Sequence, residues 1–252
     1  MPRATPKLKR LIESTGHFVM LVTHRRQQDA YGAKFLDSTE GASLERAFDR
    51  FAALEGSAGL LRTLPDPVVL LTDRAPPAGA PADSLGQAHR RFMAANGLTV
   101  DYLVGLNKDF TEHRGEDARR KWFRRRTVTS HDLRHVLNGY DTTDPGEFCN
   151  LCFRFAQTRH WGVGVLCLLG ASVMLGRGDF RGVRAGVEAF LRGRGSMSLD
   201  LFPWELHLDV PLAECRAIVG LRPPRYFKGH VEPAAYVGGP PVAGRETVAS
   251  PA

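Results

Sequence analysis

The chain has 252 residues, enough for one domain of about 180–200 residues with a substantial core. With 43% hydrophobic and 24% charged residues, its composition is that of an ordinary globular protein. The formal net charge of +7 favours an anionic partner. Because no nucleic-acid motif accompanies this charge, we expect an acidic membrane surface or an acidic ligand, and no nucleic acid.

The four cysteines, Cys149, Cys152, Cys167 and Cys215, do not have the spacing of a disulfide framework, which indicates a reducing compartment. Cys149 and Cys152 form a lone CxxC motif inside a helical pattern. We expect them to be buried small side chains, with a redox role or a second metal site as the alternative. No secretory signal is predicted.

The first half of the chain gives two clear helix predictions. Residues 1–40 form an N-terminal segment of uncertain packing. Apolar periodicity predicts a helix over 43–64 and another over 85–95, the second capped by Ser84 or Asp83. His89 lies on the apolar side of that second helix. It either contacts a substrate or metal ligand, or is a satisfied, partly buried histidine.

A strongly basic segment over 119–126 packs six cations around Trp122 and Phe123. One interpretation is the solvated face of a helix whose aromatic side chains point inward. The other is a collar that guides an acidic headgroup or a carboxylate, with Arg124, Arg125 and Arg126 as the candidate residues. The sequence leaves both open.

The motif that follows is the main candidate site. His131 and His135 are four residues apart, so on a helix their imidazoles lie on one face and can converge on one point. Asp132 lies on nearly the same face. The thermolysin-type HExxH motif fits poorly, because it needs a glutamate after the first histidine. An HD-type phosphohydrolase would need a further upstream histidine and a downstream aspartate.

A turn then brings a second carboxylate to the motif. Asn138-Gly139 predicts the end of the helix, and Asp144 with Pro145 predicts the start of the next one, with Asp144 as its N-cap. Glu147 then lies in the first turn of that helix, folded back over the first. Two imidazoles and two carboxylates on a helix-turn-helix suit zinc, iron or another first-row divalent ion.

The rest of the chain is predicted to be helical up to its tail. Residues 161–175 are almost entirely apolar but too few to cross a bilayer, so we expect a buried helix or one wall of an apolar groove. Further helices are predicted over 180–191 and 211–219, and 223–252 is rich in Pro and Gly and predicted to be disordered. The fold class is all-α, with a single helical domain over 41–222.

The segment HDLRHVLNGYDTTDPGEFCNLCFRFAQTRHWG resembles the Coq4 family of ubiquinone-biosynthesis proteins, whose signature is HDxxH, eleven residues, and then Glu. The resemblance extends to SLGQAHRRFM at 84–93, with Asn96 and Gly97. Downstream it includes Pro203-Trp204-Glu205 and the segment from Pro211 to Leu221. It covers about 84–222 and is densest over 131–159.

This resemblance implies oxidative removal of the C1 carboxylate from a polyprenylated 4-hydroxybenzoate-type intermediate, with a hydroxyl taking its place. It implies that His131, Asp132, His135 and Glu147 hold a divalent metal, zinc in first place and iron as the alternative, and that a groove binds the polyprenyl tail. It also implies a peripheral membrane protein, cytoplasmic in a bacterium or on the matrix face of the inner mitochondrial membrane in a eukaryote.

Three alternatives stay open. The chain is a metal-dependent enzyme of this kind, it acts on a different prenylated aromatic, or it is a metal-stabilised scaffold. Such a scaffold would bind isoprenoid lipid and organise other quinone-biosynthesis proteins. Four protein ligands would close a tetrahedral structural zinc site, whereas a catalytic site keeps one position open. A homodimer is a further open prediction.

Overall fold

The computed structural model describes residues 14–17, 20, 28–75, 77, 79–100 and 117–229. Its regular elements are helices, and no β-strand occurs among the described residues, which confirms the predicted all-α fold and single helical domain. The first five helices are α1 Gln28–Ala52, α2 Ala58–Thr63, α3 Pro67–Thr72, α4 Leu85–Asn96 and α5 Ala118–Thr129. The next five are α6 His131–Asn138, α7 Asp144–Thr158, α8 Trp161–Gly176, α9 Phe180–Arg194 and α10 Leu212–Ile218.

The larger apolar core lies where α4, α6, α7, α9 and α10 meet. Helices α7 and α9 approach each other closely, because glycines on α9 face bulky groups on α7. A Cβ at Gly186 would lie 2.3 Å from the Phe148 ring, and one at Gly193 would lie 2.6 Å from the Phe153 carbonyl oxygen. This packing fixes α7, which carries Glu147 in its first turn.

A second apolar cluster joins α1, α2 and α5. The rings of Phe51 and Phe123 lie 5.2 Å apart, and the Trp122 indole donates a hydrogen bond to the Pro65 carbonyl at 2.8 Å. Both aromatic side chains of the basic segment therefore point inward. They anchor α5 directly before α6, the helix that carries the two histidines.

The first long helix spans the predicted start of the domain. Helix α1 begins at Gln28, so the predicted boundary between 40 and 41 falls inside one helix, at a kink where Gly41 has φ 23°. The helix predicted over 43–64 ends at Ala52, and a 3₁₀ turn over Glu55–Ser57 separates it from α2. Gly56 lies in this 3₁₀ turn and contributes to the break, because glycine weakens a helix interior.

The segment after the predicted end of the domain contacts the core. Residues 223–229 were predicted to belong to a disordered tail, but Phe227 is buried and its ring contacts Tyr140 at 5.1 Å. An aromatic side chain of this short segment therefore packs on the core. Residues 230–252 lie outside the described part of the chain, as do residues 1–13 at the other end.

Helix α8 is less buried than its apolar sequence suggested. Of its sixteen residues only Gly162, Val163 and Met174 are fully buried, so the predicted buried helix is instead a surface helix. No helix in the described ranges is both long and apolar enough to cross a bilayer. One face of α8 is exposed to solvent. The predicted apolar groove stays a prediction.

The two cysteines of the CxxC motif lie inside the core. Cys149 and Cys152 are buried, which agrees with their interpretation as small core side chains. Burial raises the pKa of the Cys149 thiol to about 12. The thiolate is the reactive and metal-binding form, so a redox or metal role gains no support at this position.

A buried histidine ties α8 to α1. His160 Nε2 lies 3.0 Å from Thr39 Oγ1, and Gly162 leaves room for this contact because a Cβ there would lie 2.1 Å from the same hydroxyl. Burial, together with nearby Arg154, lowers the pKa of His160 from 6.5 to about 4. The folded protein therefore holds this imidazole neutral at pH values where the unfolded chain protonates it.

We expect this histidine to make stability depend on pH. Between pH 6.5 and 4 the unfolded chain binds more protons at His160, so the free energy of unfolding decreases as the pH falls through that window. The loss at this residue reaches at most about 3 kcal/mol. Urea unfolding at pH 7 and pH 4.5 should show a smaller pH effect in His160→Gln than in wild type. An equal effect in both would exclude His160 as a source.

Candidate metal centre

Three side chains that can bind a metal ion meet between α6 and α7. One donor atom each from His131, His135 and Glu147 lies within 4.8 Å of the other two. His135 Nε2 is 3.3 Å from Glu147 Oε1, and His131 Nε2 is 3.9 Å from Glu147 Oε2. The predicted convergence of the i, i+4 histidines on a glutamate from the next helix is present in the structure.

The turn between the helices explains how Glu147 reaches the histidines. Gly139 ends α6 in the left-handed conformation with φ 72°. Thr143, not the predicted Asp144, is the N-cap of α7, and its side chain accepts from the Gly146 N–H. A Cβ at Gly146 would lie 2.2 Å from the Asp141 carbonyl oxygen. Only glycine allows the turn to pack this tightly, directly before Glu147.

The hydrogen bonds of the imidazoles define which nitrogens are free. His135 Nδ1 lies 3.2 Å from the Tyr140 carbonyl oxygen, and His131 Nδ1 lies 3.2 Å from Asp132 Oδ1. Both oxygens only accept, so in the neutral imidazoles the Nδ1 atoms carry the protons. Each Nε2 then presents a lone pair toward Glu147. This is the tautomer that metal-binding histidines use.

The surroundings of the buried Nε2 atom of His135 show whether a cation fits between the three side chains. It has no hydrogen-bond partner within the described residues, although Glu147 Oε1 is 3.3 Å away. A lone pair and a carboxylate repel each other unless a proton or a metal ion lies between them. The donor set of two imidazoles and one carboxylate therefore fits a first-row divalent ion.

Electrostatics at the centre follow the same arrangement. Burial lowers the pKa of His135, but Glu147 and Asp132 outweigh it and raise the pKa above its ordinary value. Burial raises the pKa of Glu147, but His135 and His131 outweigh it and lower that pKa. The shifts of both pKa values show that positive charge is favoured between the two groups, which is also the condition for binding a cation there.

Asp132, the fourth predicted ligand, lies beside this group. Its side chain is 6% exposed and contacts His131 Nδ1, the nitrogen on the far side of the imidazole from Glu147. A carboxylate in this position orients a ligating histidine and increases its basicity. Direct ligation by Asp132 stays a prediction, and the geometry described gives three donors.

The centre is open on one side. The His131 side chain is 34% exposed and that of Glu147 is 41% exposed, whereas the His135 side chain is completely buried. A molecule from solvent can therefore approach the side formed by His131 and Glu147. Three protein donors and an accessible face leave at least one coordination position for water or substrate.

The arginines predicted as an anion collar have partners of their own. Arg124 pairs with Glu40 at 3.1 Å, and Arg125 pairs with exposed Asp66 at 3.0 Å. Arg126 is fully buried and pairs with Glu205 at 2.5 Å. A role of these side chains in binding an external anion gains no support, because each guanidinium already faces a carboxylate.

Of the residues that surround the centre, the sequence analysis singled out His89 but not Phe92, Tyr140 or Arg192. Phe92 stacks on His135 with ring centroids 5.8 Å apart, and His89, one turn earlier, is buried with no hydrogen bond to its Nε2 in the described structure. Arg192 donates to the Tyr140 hydroxyl and to the Asn138 carbonyl. The Asn-Gly helix stop was the available signal for Tyr140, since such a cap folds the next residue back onto the helix.

Comparisons with known proteins show the fold. No protein-family model matches the chain, and no curated protein matches it. The structure is similar to the crystal structure of a Nostoc punctiforme protein provisionally assigned to ubiquinone biosynthesis, with a TM-score of 0.56 and 18% sequence identity. The match covers 82% of this chain and 96% of that chain. At this identity the similarity shows a common helical fold.

Proposed function

We propose that this chain is a metal-dependent enzyme of ubiquinone biosynthesis that replaces the C1 carboxylate of a polyprenylated 4-hydroxybenzoate-type intermediate with a hydroxyl. The observation that carries the proposal is a centre with three donors, His131, His135 and Glu147, and an exposed side. A structural zinc site usually closes with four protein ligands, whereas a catalytic site keeps a position open. The sequence resemblance and the shared fold of the Nostoc protein support the pathway.

His131, His135 and Glu147 would hold the ion, zinc in first place and iron as the alternative. When bound, the ion supplies a Lewis acid for the ring carboxylate or a phenolate oxygen. Asp132 and the Tyr140 carbonyl fix the two imidazole orientations. Phe92 adds an apolar flank beside His135, against which an aromatic ring can pack.

The proposed reaction balances with molecular oxygen as the oxidant. The hydroxybenzoate anion, one proton and O₂ give benzoquinone, carbon dioxide and water, because the electron-rich ring supplies the electrons that reduce oxygen. A two-electron reduction of the quinone by a cellular donor then gives the C1 hydroxyl. The protein's part is to bind the carboxylate at the open side of the centre and to orient the ring.

The alternative proposal is a scaffold that binds isoprenoid lipid and organises other quinone-biosynthesis enzymes. One observation favours it: helices α8 and α9 expose many large apolar side chains, which suit contact with a lipid or another protein. In this case the metal stabilises the α6–α7 hairpin and has no role in turnover. A homodimer through these helices belongs to the same alternative.

Rescue of a cell that lacks its own C1-processing step separates the two proposals. We expect wild type to consume the carboxylated prenyl intermediate, followed by mass spectrometry, and Glu147→Gln to leave it intact because one of three ligands is lost. Glu214→Gln, an exposed carboxylate on α10, serves as the control and should behave like wild type. If folded, metal-loaded wild type consumes none of the intermediate, the enzyme proposal is wrong.

We also propose that the chain works at an acidic membrane surface. The apolar surface of α8 and α9 consists of large side chains that are each 44–72% exposed: Trp161, Leu168, Val173, Leu175, Phe180, Val187 and Leu191. Exposed Arg177 and Arg181 lie where the two helices are connected. Apolar side chains beside cations are complementary to a bilayer with anionic headgroups.

Flotation with phosphatidylglycerol vesicles tests this surface. The double variant Leu168→Asp with Phe180→Asp should reduce the vesicle-bound fraction at least about tenfold. It replaces two highly exposed apolar side chains with carboxylates, which anionic headgroups repel. Val69→Asp is the control, because Val69 is 48% exposed on α3, outside the apolar surface. Equal binding by both variants would rule out α8 and α9 as the membrane contact.

A further inference from the structure

A separate cleft lies at the end of α7 opposite to Glu147. Its volume is about 230 Å³, and its lining comes from the ends of α1, α7 and α9 and from the segment after α9: Arg50, Ala156, Gln157, Arg159, Gly193, Arg194, Ser196 and Ser198. Ten residues of helix separate Gln157 from Glu147, a distance of about 15 Å. Three arginines and no carboxylate line this cleft.

The arginines of this cleft lack the carboxylate partner that several other arginines of the fold have. Arg120, Arg124, Arg125, Arg126, Arg134 and Arg154 each have a carboxylate within 4 Å. Arg50, Arg159 and Arg194 have no such carboxylate among the described residues. Three like charges facing one cleft repel each other, and in the absence of acidic side chains an external anion is the natural counterion.

Helix dipoles explain only part of this arrangement. Arg50 and Arg194 lie in the last turns of α1 and α9, and Arg159 is the C-cap of α7. Each helix C-terminus carries roughly half a negative charge, so three of them offset about half of the three positive charges. The cleft therefore keeps a net positive charge after this contribution.

The walls of the cleft are held in place by hydrogen bonds. The Gln157 side chain donates to the Met197 carbonyl at 2.8 Å and to Ser196 Oγ at 3.2 Å, and it accepts from the Leu199 N–H at 3.0 Å. This amide fixes the segment that carries the two serines. Arg159 has the left-handed φ of 52°, and its guanidinium lies 5.8 Å from the Phe190 ring centroid.

From these observations we infer that the cleft is a binding site for a phosphate group, either free phosphate or the phosphomonoester headgroup of a lipid. Guanidinium groups bind phosphate oxygens with paired hydrogen bonds, and the Ser198 hydroxyl adds a further donor, whereas the Ser196 hydroxyl donates to the Gly193 carbonyl. The cleft volume accommodates a phosphate with room for a small substituent. The inference does not depend on the metal centre, which lies at the other end of α7.

Isothermal titration of the full chain tests the site with two probes, inorganic phosphate and monomeric dihexanoylphosphatidic acid. The test variant combines Arg159→Asn with Arg194→Gln; asparagine tolerates the left-handed conformation at 159. The control combines Arg46→Gln with Arg62→Gln, which removes two exposed charges outside the cleft. Thermal unfolding and metal content of both variants should match wild type.

We expect wild type and the control to bind alike and the test variant to bind at least about tenfold more weakly, as expected for the loss of charge-assisted hydrogen bonds. If only the test variant loses affinity for inorganic phosphate, free phosphate is a ligand of the cleft. If it loses affinity for the lipid alone, the cleft is a headgroup site. If neither probe binds wild type, or if both double variants lose binding equally, the site is excluded.

Discussion

Replacing His135 with glutamine is expected to abolish metal retention. The change removes one of three donors, and even the loss of a group that only orients a ligand costs about 10–100-fold in affinity, so a ligand should cost at least about 100-fold. Glutamine can still donate to the Tyr140 carbonyl, which lies 3.2 Å from His135 Nδ1. Elemental analysis after purification should find about one ion per wild-type chain and almost none in the variant.

His207→Gln is the matched control for this experiment. His207 is also a buried histidine, and its Nδ1 lies 2.9 Å from the Pro203 carbonyl, but it is outside the group around Glu147. The control should keep its metal. Equal metal content in the two variants would show that the ion binds elsewhere or that the loss comes from general damage to the core.

The second large effect is expected from Arg126→Met. Arg126 pairs with Glu205, whose side chain is 2% exposed, and donates to the carbonyls of Asp200 and Phe202. Without its cation the Glu205 carboxylate is buried and unpaired, and such a loss costs about 3–5 kcal/mol. Urea unfolding should show this decrease in the free energy of unfolding. Metal binding in the folded fraction should persist.

Two further variants make the Arg126 result interpretable. Arg125→Met, one residue earlier, removes an ion pair in which both side chains are more than 40% exposed, so it should cost no more than about 1 kcal/mol. Adding Glu205→Leu to Arg126→Met should recover part of the stability, because the unpaired carboxylate is then absent. Equal losses for Arg125→Met and Arg126→Met would contradict the structural role assigned to Arg126.

The metal centre could be predicted from the sequence because its residues are close together along the chain. The spacing of His131 and His135 fixes their relation on any helix, and the glycine and proline of the following turn place Glu147 within one helical turn. The role of Asp132 could not be predicted from its position along the helix. Adjacent residues on a helix diverge, so whether Asp132 faces the ion or the far side of His131 depends on side-chain rotamers.

The role of the arginines over 119–126 could not be predicted in the same way. Whether they form a solvent-facing collar or structural ion pairs depends on partners that are distant along the chain. Glu205 lies 79 residues after Arg126, and Glu40 lies 84 residues before Arg124. The exposure of α8 likewise depends on whether another element covers it, which apolar composition alone does not specify.

The metal centre is tested most directly by a crystal structure of the metal-loaded full chain with anomalous scattering measured at the metal edge. We expect one strong peak bounded by His131 Nε2, His135 Nε2 and Glu147, with water in the remaining coordination positions on the exposed side. Asp132 should stay on His131 Nδ1. A peak elsewhere would contradict the centre itself, and a site closed by Asp132 with no exchangeable ligand would contradict its catalytic role.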